Sequence, residues 1–166
     1  MLSATRTANA LSQLGFIRLN EGRNLDAEQY FRRAVNMMRV AFGPDHLAVA
    51  VAEVNFAYAY IRSGNLPGAR TLLEHSAPIE KNATHPSPHL AMCLFAEAQW
   101  NARSGHTAEA DQLFRESIRM FDATGQANDP FTAEVLIAYA RFLKPRRKKD
   151  AAALQRRANA IRSLRP

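Results

Sequence analysis

Small and apolar residues recur along this chain at intervals of 41 or 42 residues, which is the pattern of an internal repeat. In the first three copies a glycine is followed five residues later by an alanine and four residues after that by a large apolar residue. These sets are Gly22, Ala27 and Phe31, then Gly64, Ala69 and Leu73, then Gly105, Ala110 and Phe114. Ala151 continues the spacing into a fourth copy, in which Arg146 stands in place of the glycine.

Each copy contains two stretches in which apolar residues return at steps of three and four, the spacing of an amphipathic helix. We name these stretches helix A and helix B, and the glycine lies in the turn between them. The predicted helices span residues 5–20 and 25–42, 47–63 and 67–81, 89–104 and 107–123, and 131–143 and 150–164. They form units 5–42, 47–81, 89–123 and 131–164 of one predicted domain, 1–166. Pro78 lies inside the second helix B and is expected to shorten or kink it.

Small residues on both helices predict how each hairpin packs. One set lies seven residues before each turn position, and the other lies on helix B: Gly15, Ala57 and Ala98 are expected to face Ala27, Ala69 and Ala110. Phe31, Leu73 and Phe114 would then fill the seam between the two helices. Because a single hairpin cannot bury its apolar face alone, the hairpins are expected to stack on one another.

These features resemble the kinesin-light-chain class of tetratricopeptide repeats, whose period of about 42 residues is longer than that of ordinary repeats of this family. The resemblance rests on the period, the glycine-to-alanine spacing and the linker Phe42-Gly43-Pro44-Asp45-His46. It implies an all-α fold, a right-handed superhelical solenoid of about four helix-turn-helix units. It also implies a protein that binds other macromolecules and is not an enzyme.

Stacked hairpins with a small rotation between them form a curved array whose concave side is lined by A helices. In the proteins that this chain resembles, Asn and Arg side chains of helix A hold the backbone and acidic groups of an extended peptide. The corresponding peptide-groove candidates are Asn9, Gln13, Phe16, Asn20, Asn55, Tyr58, Arg62, Gln99 and Arg103. Amides can both donate to and accept from a peptide bond, and the two aromatic rings would be anchors. The competing interpretation is that Phe16 and Val51 pack between adjacent A helices.

Positive charge is concentrated at one end of the sequence. Residues 141–166 contain ten Lys and Arg residues and one acid, Asp150, in a chain of formal net charge +7. The candidate basic patch is Arg146, Arg147, Lys148, Lys149, Arg156 and Arg157, and Arg162 and Arg165 extend it. Such a patch suits a polyanion such as a nucleic acid, or a solubilising cap on the last hairpin. No aromatic residue follows Phe142, so base stacking is not indicated.

No motif for catalysis, cofactor binding or metal binding is recognisable, and none of these functions is predicted. His85, His89 and Cys93 have a spacing that would align metal ligands on one helix. However, Pro86 and Pro88 lie between the histidines, so His85 is expected outside the helix. Cys93 is then expected to be a buried thiol.

The predicted function is therefore a scaffold that binds a peptide or protein segment in the concave groove. The alternatives are polyanion binding through the last hairpin, residues 141–166, and a regulatory or homo-oligomerisation module of a larger protein. No apolar run is long enough to cross a membrane, and the lone cysteine fits a reducing compartment, so a cytoplasmic location is expected. A signal peptide trimmed from a longer natural chain would leave no trace here.

Overall fold

Eight α-helices make up most of residues 2–83 and 85–164, the part of the chain that the computed structural model describes. They are α1 (Leu2–Asn20), α2 (Asn24–Phe42), α3 (Leu47–Ser63), α4 (Leu66–Lys81), α5 (Pro88–Ser104), α6 (Thr107–Ala123), α7 (Pro130–Leu143) and α8 (Lys148–Ser163). Those same residues contain no β-strand. Two helices have the predicted bounds and the other six begin or end within three residues of them. The predicted all-α helix-turn-helix class is confirmed.

The chain divides into two compact units, with the boundary between residues 84 and 85. In the first unit the hairpins are α1–α2 and α3–α4, and α3 packs on both helices of the hairpin before it. In the second unit the hairpins are α5–α6 and α7–α8, and α7 packs on α5 and α6 in the same way. The organisation of residues 1–166 as one domain stays a prediction.

Glycines close the turns after helix A in the way the repeat pattern predicts. Gly64 and Gly105 end α3 and α5, and both have a φ of +88°, a left-handed conformation that residues with a side chain disfavour. The α7–α8 turn lacks a glycine and is built differently. There the carbonyl of Leu143 accepts hydrogen bonds from the backbone N–H groups of Arg146 (2.9 Å) and Arg147 (2.7 Å). This turn therefore needs no left-handed residue.

The predicted seams are present in the first three hairpins. The small residues are buried on both sides, and Phe31, Leu73 and Phe114 are 0%, 6% and 1% exposed. The Phe31 ring also stacks on Phe56 of the next A helix, with 5.8 Å between ring centroids, and Phe114 stacks on Tyr139 at 5.0 Å. Each phenylalanine therefore joins its own hairpin to the one that follows it.

We predict that Gly15→Ala destabilises the first unit, although alanine favours a helix. A Cβ at this position would lie 2.8 Å from Cε2 of Phe31, whose side chain is fully buried and in ring contact with Phe16 and Phe56. The helix-propensity gain is about 1 kcal/mol, whereas overpacking costs about 1–3 kcal/mol. Chemical denaturation followed by circular dichroism should show a lower free energy of unfolding for Gly15→Ala than for the wild type. Gly15→Ala should cost less in a Phe31→Leu background than in the wild type, and a single Gly15→Ala variant more stable than the wild type would contradict this packing.

Candidate functional site

Candidate groove residues of the first unit lie on one face of α1 and α3. We name this set the α1–α3 stripe: Asn9, Gln13, Phe16 and Asn20 of α1 with Asn55, Tyr58 and Arg62 of α3. Within each helix the members are spaced by three or four residues, so they share one side of it. Because α1 and α3 pack on each other, the two rows are neighbours.

The two rows of the stripe are joined by side-chain contacts at one end. Arg62 donates a hydrogen bond from Nη1 to Oδ1 of Asn20 at 2.9 Å, and both residues are exposed. The Arg62 guanidinium carbon lies 6.0 Å from the centre of the Tyr58 ring, within the range of a cation–π contact. The pair with Asn20 uses one of five guanidinium N–H donors, so donors remain to meet a carboxylate.

The aromatic members of the stripe are partly core residues. Phe16 is half-buried, meets Phe31 edge-on at 4.9 Å and lies 6.1 Å from the ring of Tyr58, which is 6% exposed. Much of the Phe16 ring therefore packs in the core, as the competing interpretation expects, while one part of the ring stays accessible. Val51 is half-buried as well.

The remaining polar candidates differ in exposure. Asn9 and Gln13 are exposed, and Asn55 is half-buried with no side-chain hydrogen bond to any residue that the structure describes. An amide in that state is available to a ligand. Gln99, half-buried, and Arg103, exposed, belong to α5 in the second unit, so the stripe does not include them.

The candidate basic patch contains two kinds of residue. Arg147 pairs with Asp111 at 3.2 Å and with Asp150 at 2.6 Å, and Arg157 forms two hydrogen bonds with Asp122. These arginines fasten α8 to α6. Among the described residues, the other four members have no ion-pair partner and are exposed: Arg146, Lys148, Lys149 and Arg156. Arg165, which the sequence pattern added to the patch, lies outside the described residues.

A tyrosine–carboxylate hydrogen bond joins successive hairpins in both units, which the sequence analysis missed. Tyr60 of α3 donates to Oε1 of Glu28 at 2.9 Å, and Tyr139 of α7 donates to Oδ1 of Asp111 at 2.6 Å. Each acid directly follows the seam alanine of helix B, and this shared position is the sequence signal that could have revealed the hydrogen bond. Burial and the bond to Glu28 raise the pKa of Tyr60 to about 12, so Tyr60 stays protonated as a donor.

A buried carboxylate, also missed from the sequence, organises the charges of the first unit. Glu53 of α3 is 0% exposed and accepts from Arg39 of α2 at 2.5 Å, while its second oxygen contacts Nδ1 of His75 of α4 at 2.5 Å. Asp45 of the preceding linker lies 3.3 Å from Nε2 of the same histidine. The hydrogen bond to Glu53 raises the pKa of His75. This cluster ties three helices together and has the character of a structural ion-pair network.

A second buried acid has no such support. α4 continues past Pro78 to Lys81, and its Ser76 and Glu80 side chains are both 0% exposed. Among the described residues, neither has a hydrogen-bond partner. Burial raises the pKa of Glu80 to about 7. An orphaned carboxyl of this kind reduces the free energy of unfolding once it ionises.

The histidine–cysteine spacing does not build a metal site. His85 precedes α5, which begins at Pro88, and Cys93 is fully buried, as the two prolines predicted. Within the described ranges no group of three or more His, Cys, Asp or Glu side chains could hold a metal ion.

The chain has four helix hairpins that repeat about every 41 residues, and a polar and aromatic stripe runs along two of its A helices. This architecture places it in the class of all-α helical-repeat proteins. Residues 6–82 match the family model of the tetratricopeptide repeat. This match covers the first two hairpins, and the chain has the fold of kinesin-light-chain-like tetratricopeptide repeats.

Solved structures agree with this assignment at the level of fold. One is a single-substitution variant of a Podosopora anserina protein, described as a kinesin light chain with nearly identical TPR-like repeats. It has a TM-score of 0.72 at 18% identity, over 99% of this chain and 78% of the other. A second structure, of the protein without that substitution, has a TM-score of 0.59 at 18% identity, over 95% and 75%. A search of curated protein sequences finds no significant match.

Proposed function

We propose that this protein is a scaffold that binds an extended peptide or protein segment along the α1–α3 stripe. Tetratricopeptide repeats are in general protein-interaction modules without catalytic activity, which supports the class of function. Within the described ranges, no helix combines the length and the apolar character needed to cross a membrane. The peptide, its position and its residue contacts are the specific part of the proposal.

The observation that carries the proposal is the Arg62–Asn20 hydrogen bond beside Tyr58. It holds an exposed guanidinium in a fixed place between the two rows, so less side-chain entropy is lost when a ligand binds. The remaining N–H donors of the guanidinium would meet a carboxylate of the ligand. Two turns before Arg62 on the same helix, the half-buried Asn55 amide would pair with a backbone amide of the same peptide.

The predicted consequence is that Asn55→Ala with Arg62→Ala weakens peptide binding. Peptides would be selected from a random display library with the wild-type protein, and their Kd measured by isothermal titration calorimetry. Loss of two hydrogen-bonding side chains at about 1–1.5 kcal/mol each should weaken binding roughly 30- to 150-fold.

A matched control removes one arginine and one asparagine from a surface outside the stripe. Arg33 and Asn36 are both exposed on α2, so Arg33→Ala with Asn36→Ala should leave Kd within about twofold. Equal circular dichroism spectra and melting curves would show that both double variants remain folded. If the selected peptides bind the stripe variant as tightly as the wild type, the stripe is not the peptide site.

Two alternatives from the sequence stay hypotheses. Self-association has no specific support from the contacts of either unit. For polyanion binding by residues 141–166, four of the six basic-patch residues are exposed and unpaired among the described residues, but the other two already pair with carboxylates. The last hairpin carries a feature that favours a different partner.

A further inference from the structure

A cavity of 460 Å³ lies between the two helices of the last hairpin, within the second unit. Among its lining residues are Ala140 and Arg141 of α7, Lys144 of the turn that follows, and Lys148, Ala152 and Gln155 of α8. Alanines form the floor, and cationic side chains surround it. The cavity is therefore apolar inside and positively charged at its edge.

The repeat register identifies what this face of the hairpin is shaped to receive. Ala152 and Gln155 stand 41 residues after Asp111 and Phe114 of α6. Those two α6 residues contact the next A helix, because Asp111 accepts from the Tyr139 hydroxyl at 2.6 Å and Phe114 stacks on its ring at 5.0 Å. The α8 positions therefore correspond to a helix-docking face.

The first unit repeats this arrangement. Glu28 of α2 accepts from Tyr60 at 2.9 Å, and Phe31 stacks on Phe56 at 5.8 Å, so α2 also receives the next A helix at these two positions. In both units, therefore, these two positions of helix B contact the next A helix. It predicts an α-helix, rather than an extended strand or a small molecule, as the occupant of the α8 face.

The residues that differ between α6 and α8 specify the chemistry of the incoming helix. Gln155 of α8 replaces the bulky Phe114 and Ala152 replaces Asp111, so the incoming helix must supply large apolar residues to fill the cavity. Arg141, Lys144 and Lys148 are exposed and have no ion-pair partner among the described residues. Favourable contact with them requires carboxylates on the flanks of that helix.

We propose that the cavity of the α7–α8 hairpin binds an acidic amphipathic α-helix of a partner protein. A second copy of this chain does not supply that charge through α1, which carries Arg6 and Arg18 and no carboxylate. The site is independent of the α1–α3 stripe, so either can fail while the other holds.

The test uses synthetic peptides of about 16 residues, the length of α8, with fluorescence anisotropy as the measurement. The first peptide has Leu and Ala at helical spacing on one face and Glu on the other. A second replaces Glu by Lys, a third has the composition of the first with its apolar positions scrambled, and a DNA duplex is the fourth probe. The first peptide should bind at least about tenfold more tightly than the second and the third.

Filling the cavity separates docking from simple charge attraction. Ala152→Trp places a large ring where the incoming helix would pack, and should weaken binding of the first peptide at least about tenfold. Ala153→Trp changes a neighbouring exposed alanine outside the lining, and should leave Kd within about twofold. Equal affinity of these two variants would overturn the proposal.

Charge reversal tests the edge of the cavity with an equal number of changes. Arg141→Glu with Lys148→Glu should weaken binding of the first peptide at least about tenfold. Arg156→Glu with Lys149→Glu changes the same two residue types at exposed positions outside the cavity lining. This control should increase the Kd of the first peptide by less than about a third as much. If both double variants weaken binding equally, and the scrambled peptide or DNA binds as well as the first peptide, the hairpin is a general polyanion binder.

Discussion

Phe114→Ala is expected to reduce the free energy of unfolding of the second unit by about 3–5 kcal/mol. The Phe114 side chain is 1% exposed and lies between three other rings: Phe95 at 6.1 Å, Tyr139 at 5.0 Å and Phe142 at 5.6 Å. Its removal leaves a cavity where α5, α6 and α7 meet. Because the chain has one tryptophan, Trp100 of α5, urea denaturation followed by tryptophan fluorescence reports on this unit.

Gln112→Ala is the control for the same helix. Gln112 is exposed, so its truncation should change the free energy of unfolding by less than about 0.5 kcal/mol. A loss of under about 1 kcal/mol for Phe114→Ala would mean that the ring does not hold the two hairpins together. The description of the seam would then be wrong.

Glu80→Met, in contrast to Phe114→Ala, is expected to increase the free energy of unfolding, and to do so in the first unit above neutral pH. The wild-type carboxyl is buried without a hydrogen bond among the described residues, and its pKa is raised from 4.5 to about 7. Ionising it inside the fold is unfavourable, whereas methionine fills a similar volume without charge. The free energy of unfolding at about pH 8 should rise by roughly 1–3 kcal/mol.

The pH dependence follows from the direction of the Glu80 pKa shift. Its pKa is higher in the folded state, so between about 4.5 and about 7 the folded protein binds more protons than the unfolded chain. Wild-type stability therefore falls as pH rises through this window. His75, whose pKa is also raised, contributes stability that is present below its ordinary pKa and is lost as pH rises through its folded value. Only the difference between the wild-type and Glu80→Met curves isolates Glu80.

Denaturation followed by far-ultraviolet circular dichroism, at pH values from about 5 to about 8, would measure these curves. Glu74→Met is the matched control, because Glu74 is an exposed glutamate of the same helix. It should leave the pH slope unchanged. Parallel curves for wild type and Glu80→Met would show that Glu80 does not ionise inside the fold.

The helices and seams were accessible from the sequence because their causes are local or periodic. Turn glycines, spaced alanines and steps of three and four residues are visible without knowing which segments meet. Every helix bound was therefore predicted within three residues, the largest difference being the start of α1 at Leu2. Arg146 signalled an unusual last turn, but the hydrogen bonds to the Leu143 carbonyl that replace the glycine were not predictable.

The charged contacts were not predictable because their partners come from different helices. Glu53 meets Arg39 and His75, which are 14 and 22 residues away, and nothing in the sequence of α3 names them as partners. The same holds for Arg147 and Arg157, which looked like patch residues and instead pair with carboxylates of α6. The groove candidates came from the resemblance, and contacts within the first unit join four of them: Phe16, Asn20, Tyr58 and Arg62.

The short reach of the contacts between hairpins also bears on how the chain folds. The Arg62–Asn20 hydrogen bond, which crosses from one hairpin to the next, spans 42 residues, and the Arg157–Asp122 contact spans 35. The entropy lost on closing a loop grows with its length, and proteins dominated by such nearby contacts fold rapidly. The Arg62–Asn20 and Tyr60–Glu28 hydrogen bonds of the first unit join residues that precede position 85. These contacts can therefore form while the second unit is still being translated.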